Sequence, residues 1–490
     1  MRNKYFAFSV LFLLITGNFV FAQTQSENQE KSDEQKIILT IEDSVNLALE
    51  NNKSLKSSAI DLEIKKRASS YSWNSLLPSA QVSATIARSN SISSIKSSAE
   101  SVGKIRALLG AGEKGADFNT AVTAANSVDG TSVIEAMYGS EEEAAWHQMA
   151  SLSFGWNFNA AIIKQISTTK KQYESGKISY DQSVKEMEAN IRKLFYGILL
   201  QQENLNIQKD SLNNAKARYE QAAINYKNGL VPELQVLNSQ VTYENQKPTV
   251  LSLEQQIIQQ KNTFAFLLGL PFGREIELKG TINVDFVEVD ANDLYQKYHD
   301  NSLDVQNLKK SIEIAESGLT ALRLKTFTPS LSVNWGLSPT VSVISENWFK
   351  KDNYTDSGTF SVTLAYSNLV DMLPFSANMQ TIKDTKQNIE KAKIGLEQTE
   401  QNLEIEVHKL VDNLNVSNEN IKAMQRNVEL AQKAYNSTLR AYNSGTEELL
   451  AVKDSEASLN QARLGLMNEK YNYISAVLDL ETKLNIKLTK

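Results

Sequence analysis

The sequence predicts a mainly α-helical chain that also carries part of a membrane β-barrel. It reads as a tandem-duplicated coiled-coil tunnel with four barrel strands per protomer, closing as a twelve-stranded barrel in a trimer. Three observations carry this: an internal repeat, apolar residues recurring every seven positions, and four short segments in which apolar and uncharged polar residues alternate.

The repeat is exposed by a shift of 216 positions, which superposes Ile166 on Ile382, Tyr173 on Ile389, Leu194 on Leu410, Leu212 on Val428, Tyr226 on Tyr442 and Gly229 on Gly445, without a gap. Within each copy the apolar residues keep a spacing of seven in two phases, as in Ile191, Ile198, Leu205, Leu212 and in Ile166, Tyr173, Tyr180, Met187. A period of 3.5 specifies helices that supercoil and pack knobs into holes. The first long helix is expected over residues 162–228 and its return helix over 232–268; the second pair is expected over 377–444 and 446–484. At 1.5 Å per residue the long helices reach roughly 100 Å. Each return helix is shorter, and a helix upstream (about 55–77 and 302–327) makes up the difference, so one long helix lies beside two short ones stacked end to end. Repeat one is assigned residues 23–270, an equatorial linker 271–300 and repeat two 301–490. Residues 23–45, the linker and the C-terminal tail are expected to form a belt around the rod.

Ahead of the repeats, Met1-Arg-Asn-Lys4 precedes an apolar block that ends Val20-Phe21-Ala22, the pattern of a secretory signal over residues 1–22. That block is short for a membrane span of about 20 residues, and no later segment approaches one. An exported chain of this kind enters a membrane only as a closed β-barrel, because open strand edges are not tolerated in lipid.

Candidate strands lie at about 79–88, 148–158, 330–338 and 359–367. Val82, Phe154, Trp335 and Phe360 belong to the apolar phases, while the opposite phases hold Ser, Thr, Asn, Gln and Gly without charge. Alternation alone also suits a water-soluble sandwich. The export signal and the lack of another core for these strands favour the barrel. Four strands cannot close one, since about eight is the usual minimum, whereas three protomers supply twelve.

With this order of elements the chain resembles the TolC-like outer-membrane efflux protein family. The likeness rests on the duplicated order helix–strand–strand–helix–helix, on Leu77-Pro78-Ser79 and Thr328-Pro329-Ser330 before the strands, and on two helix-tip motifs. Those run from Tyr226 through Gly229, Leu230 and Val231 to Leu237, and from Tyr442 through Gly445 and Thr446 to Val452. The resemblance implies a homotrimer in the cell outer membrane, in contact with outer-membrane lipid and reaching into the periplasm. It also implies docking of the tips, here Gly229, Leu230, Val231, Gly445 and Thr446, onto a periplasmic adaptor coupled to an inner-membrane pump. Of the aspartates common after the tip glycines only Asp454 is present; Gln235, Asn238 and Ala451 stand at the other places, and Glu447 stands where an Arg is frequent. Glu233, Glu447, Glu448 and Asp454, tripled by symmetry, can form an acidic entrance ring that favours cations; solvated charges at a helix end are the plainer reading.

The rest of the sequence narrows the function classes. The absence of cysteine among 490 residues excludes disulfide scaffolds, thiolate metal sites and thiol nucleophiles. A net charge of −6 gives no basic face for nucleic acid. Three scattered histidines, and no G-x-S-x-G or H-E-x-x-H motif in a fitting context, argue against an enzyme, a resident metal or a cofactor. Gly110-Ala-Gly112-Glu-Lys-Gly115 matches a dinucleotide fingerprint but lacks its βαβ setting. The Ser-, Ala- and Gly-rich stretch 89–143 reads as a long loop outside the barrel. The expected function is therefore an efflux or secretion exit duct, with an exported coiled-coil structural or adhesive protein lacking a pore as the alternative.

Overall fold

The computed structural model describes residues 37–138, 140, 145–341, 357–366 and 369–488; the signal segment 1–22 lies outside them. Repeat one begins with β1 (Ile37–Leu39), α1 (Ile41–Asn51) and α2 (Lys53–Ser70), followed by a short 3-10 turn, Ser72–Leu76. Strand β2 (Ser79–Arg88) leads into α3 (Ser93–Glu113), α4 (Phe118–Asn126) and α5 (Gly130–Tyr138), and β3 (Trp146–Phe158) returns. Helices α6 (Ala161–Lys227) and α7 (Glu233–Leu267) complete the copy. The linker holds β4 (Ile276–Leu278) and α8 (Ala291–Tyr298). Repeat two runs α9 (Leu303–Phe327), β5 (Ser330–Leu337), the two-residue β6 (Thr340–Val341), β7 (Gly358–Ala365), α10 (Ala377–Asn443) and α11 (Leu449–Leu484).

The rod is built on α6 and α10, each of 67 residues and so about 100 Å long. Helix α6 packs against α2 and α7, and on its other side against α9 and α11; α10 packs against α9 and α11. Helices α2 and α7 meet end to end at Asn52. Its side-chain oxygen accepts from the Ser54 and Leu55 N–H groups at the start of α2, and its amide nitrogen donates to the Leu267 carbonyl at the end of α7, 2.7 Å away. One side chain thus satisfies orphan groups on two helix ends. Gly269 makes the joint possible, because its φ is +75° and an added Cβ would lie 2.4 Å from the Asn51 carbonyl oxygen. The equivalent position after α11 is Asn485, also left-handed at φ 49°, and Leu268 and Leu484 beside these residues are both fully buried.

Around the middle of the rod lies a belt of short elements. Strands β1 and β4 pair in parallel, Ile37 opposite Ile276 and Leu39 opposite Leu278, and their buried side chains join Ile191, Phe195, Ile198 and Phe264. On the second repeat, α8 places Ala291 and Leu294 against Val407, Val411, Leu414 and Tyr473. The buried Tyr473 hydroxyl accepts from the Val287 N–H at 2.9 Å, which ties the linker to α11.

At one end of the rod β2, β3, β5 and β7 form an antiparallel sheet in that order, with β6 on β3. Its register brings like residues together. Ala80, Phe154, Trp335 and Phe360 lie in one row, and Phe158, Leu331 and Leu364 in another. Ser79, Gly155, Asn334 and Ser361 occupy a row of the opposite phase, where Ser83 bonds to Ser151 at 2.7 Å and Ser332 donates to Asn157 at 2.6 Å. One face is therefore apolar across all four strands, with Gln148 and Arg88 only at the end away from the rod, and the other is polar without charge. The stretch 89–143, expected from its composition to be a loop, contains α3, α4 and α5. Its Ile92, Ile95, Ala99 and Ile134 share a small core, a helical spacing hidden by the many Ser and Gly around it. The upstream helix also stops at Ser70 rather than near Leu77, giving way to the 3-10 turn whose Leu76 carbonyl accepts from the Trp156 indole at 2.8 Å.

The two kinds of glycine in the rod separate by mutation. Gly269→Ala and Gly445→Ala both force a side chain into the left-handed region, costing roughly 1 kcal/mol each. Only Gly269→Ala adds a clash with backbone, so its thermal unfolding midpoint, tracked by helix circular dichroism, is expected to fall clearly further than that of Gly445→Ala.

Candidate functional site

At the end of the rod opposite the sheet, α6 turns into α7 and α10 into α11 by the same device. The Gly229 N–H bonds to the Tyr226 carbonyl and the Leu230 N–H to the Asn225 carbonyl, both at 2.9 Å; Gly445 bonds to Tyr442 at 2.9 Å and Thr446 to Ala441 at 3.0 Å. Both glycines have φ near +75° (+74° and +77°) with open space where a Cβ would stand, so the backbone conformation alone demands glycine. Leu230, Leu234, Leu237 and Leu450 are large apolar side chains left exposed at these tips.

The residues expected from the sequence to dock or gate all lie at these tips. Gly229, Leu230 and Val231 form the first turn, and Glu233 opens α7 directly after Pro232. Gly445, Thr446, Glu447 and Glu448 form the second turn, and α11 begins at Leu449, because Glu448 is extended at φ −86°, ψ 155°. Glu233, Glu447, Glu448 and Asp454 are all exposed. None of the four carboxylates forms an ion pair among the described residues. The fold brings them to one end of the rod as a cluster of solvated negative charges.

A buried contact lies next to this cluster, between residues that the sequence motifs do not mark. Arg218 of α6 and Glu456 of α11 form an ion pair of 2.7 Å, with side chains only 12% and 8% exposed, and Asn214 donates to the other carboxylate oxygen at 2.8 Å. Each partner lies eleven residues from its tip glycine, so the pair sits within a few helical turns of both hairpin tips. Burial pushes the Tyr435 phenol above its ordinary range, and the nearby Glu456 carboxylate adds to the shift. Lys453 of α11 reaches Thr242 of α7 at 2.9 Å. These contacts join repeat one to repeat two below the belt. Asp454 lines the same groove as the pair, together with Gln246 and Lys453. Glu456 was legible in principle: with Arg463 and Lys470 it occupies a seven-residue phase that continues through Val477 and Leu484, so a charge falls on the packing seam.

Both flanks of the protomer end in unpartnered surface. The offset of 216 carries Ala189 and Leu200 of α6, each 8% exposed, onto Ile405 and Val416 of α10, which are 66% and 60% exposed. It carries Asn214, bonded to Glu456, onto the exposed Leu430. The face that α6 buries within the protomer is thus matched on α10 by an apolar face that no described residue covers. On the opposite flank α2 exposes Ile60 and Ile64, and α7 exposes Leu251 and Ile258.

Residues 121–270 and 294–485 match the family model described as outer membrane efflux protein. No curated protein sequence matches the chain. Among solved structures, the fold is similar to the CmeC outer membrane channel of Campylobacter jejuni, with a TM-score of 0.69 at 14% identity over 92% of this chain and 87% of that one. The outer membrane protein VceC of Vibrio cholerae gives 0.67 at 13% identity, covering 92% and 97%. The open-state MtrE outer membrane channel of Neisseria gonorrhoeae gives 0.65 at 14%, covering 92% and 89%.

The buried pair makes a sharp energetic prediction. Glu456→Ala leaves the Arg218 guanidinium buried without its counter-charge, a loss of about 3–5 kcal/mol. The double variant Arg218→Met with Glu456→Leu removes both charges, and its thermal midpoint is expected to recover most of the drop seen for Glu456→Ala.

Proposed function

The chain belongs to the outer membrane efflux protein family, and from that membership we propose that three copies assemble into a passive exit duct for a tripartite efflux or type I secretion system. It is a protein of the outer membrane, and its helical rod extends from there into the periplasm. The observation that carries the reading is the sheet. It has a face that is apolar except for Gln148 and Arg88 toward its far end, a polar uncharged face, and two free edges, β2 and β7, that run in opposite directions. An even number of alternating strands lets copies join edge to edge and stay antiparallel throughout. Three copies give twelve strands and a closed wall with the polar face around water.

The helical flanks support the same assembly. The apolar face of α10, with Ile405, Val416 and Leu430, meets the next copy's α2 and α7. In this arrangement α7 contacts a neighbouring copy as α11 contacts α6 within one. Glu233, Glu447, Glu448 and Asp454 ring the periplasmic entrance and bias it toward cations. The exposed turns at Gly229, Leu230, Val231, Gly445 and Thr446 dock a periplasmic adaptor, which couples the duct to an inner-membrane pump. The energy for transport resides in that pump, and the duct contributes a path and a gate. Arg218–Glu456 holds the two coils of one protomer together near the entrance and resists their separation.

In detergent the wild-type protein is expected to have the mass of three chains, and in planar bilayers to conduct. Ile405→Asp combined with Val416→Asp is expected to yield monomers in native mass measurement. A monomeric wild-type protein without conductance would favour the structural coiled-coil alternative. Asp454→Asn is expected to lower cation preference or raise leak, read as a shift in reversal potential across a salt gradient; unchanged values remove Asp454 from the gate.

Docking is tested separately. Leu230→Asp is expected to abolish capture of adaptor and pump by tagged protein while leaving bilayer conductance intact, since the substituted side chain is exposed on a turn.

A further inference from the structure

The segment between β2 and β3 is a folded module. Ile134 is fully buried in it and Ala99, Ala121 and Ala125 nearly so. Gly103 lets α3 press onto the rest, since a Cβ there would lie 2.7 Å from methyl groups of Val128 and Val133. This core uses the face of α3 that carries Ile95, Ala99 and Gly103, with Ile92 just ahead of the helix. A different face, with Val102, Ile105 and Leu109 at helical spacing, is 43%, 56% and 65% exposed, and Phe118 at the start of α4 is exposed as well. Helix α3 lies outside both spans matched by the family model.

Resting on the trimeric duct proposed for this chain, we propose that three of these stripes meet over the outer mouth of the barrel and close it as an apolar cap. The occupant of each stripe is the same stripe of the other two copies. The module stands at the sheet edge where copies join, because it springs from the edge strand β2. On the β2 side it follows the strand closely: the ladder ends at the pair Arg88–Trp146, the Ser89 N–H still bonds to the Ala145 carbonyl at 2.8 Å, and α3 starts at Ser93. Twelve strands spaced about 4.8 Å apart and tilted about 40° enclose a wall about 24 Å across. Helix α3, with 21 residues, is about 31 Å long and about 10 Å thick. Three such helices leaning inward from so narrow a rim must touch. Leaning outward, they would leave four large apolar side chains per copy in water. The flanks of the stripe are charged, with Lys104 paired to Glu100 beside it, which suits a contact that is apolar only along its seam. The cap is then a second barrier, at the end of the bore opposite the acidic entrance, and cargo leaves when the three helices part.

The lack of cysteine makes the test direct. Ile105→Cys in the full-length protein, oxidised with copper phenanthroline, is expected to give disulfide-linked dimers on a non-reducing gel, whereas Ser97→Cys, on another exposed face of α3, stays monomeric on that gel. The triple variant Val102→Ser, Ile105→Ser, Leu109→Ser is expected to raise open probability in bilayers at least two-fold. A native trimer that fails to cross-link at 105, with the triple variant conducting as wild type, overturns the cap and leaves the duct intact. Quenching of a dye at position 105 by spin-labelled lipid overturns it too, since the stripe would then face the bilayer. A native mass of one chain overturns the duct and the cap together.

Discussion

A backbone N–H or C=O left unpaired in hydrocarbon costs several kcal/mol, and this constraint governs the architecture. The ten residues of β2 and the eight of β7 each present an open edge. A single protomer therefore cannot bury its apolar sheet face in lipid. Assembly is a condition of membrane residence, and the helical rod has to present flanks that close at the same rotation as the strands. In the proposed trimer tandem duplication solves that problem, because a flank that meets the other repeat within one chain has its counterpart free to meet the next chain.

The two interfaces are nonetheless built with different chemistry. Within the protomer, α6 meets α11 partly through Arg218, Asn214 and Glu456, a contact of small net stability that is expensive to break on one side only. Where the offset places α10 in the same role, Leu430 replaces Asn214, and Ile405 and Val416 stand in for Ala189 and Leu200. In the proposed trimer the seam between copies is apolar, as befits surfaces that have to find each other after synthesis and gain by leaving water. The polar seam inside the chain is already held by covalent connection, and it specifies register instead of driving association.

Much of this was written in the periodicities. The seven-residue spacing through Ile191, Ile198 and Leu205, and the alternation through Phe154, Trp156 and Phe158, mark the long helices and barrel strands, because both depend on repeated side-chain placement along one element. What escaped were features made by two distant segments. Asn52 reads as an ordinary polar residue until Leu267 is found 2.7 Å away. Glu456 reads as one more charge near Asp454, yet two residues along a helix turn a side chain by about 200°, which exposes one and buries the other. The helices of the 89–143 module were obscured by Ser and Gly, whose weak helix propensity is overridden by the contacts of Ala99 and Ile134.

In the proposed trimer, two tips per chain make six around the entrance, alternating between two sequences. The turns share a glycine near φ +75°, the five-residue return bond from Leu230 or Thr446, and a return helix that starts within a few residues. They differ in the residues just past these donors, Val231-Pro232-Glu233 in one and Glu447-Glu448 in the other. A partner that grips all six tips has to rely on the shared backbone geometry and on the exposed leucines beyond it, Leu234 and Leu450. One that grips every second tip can read the side chains that differ. Because Pro232 fixes φ at the start of α7 and no proline stands at the start of α11, the first tip is the stiffer of the two. In the proposed duct, a motion that bends one hairpin against the other is therefore easier to accommodate at Thr446–Glu448 than at the proline-braced first tip.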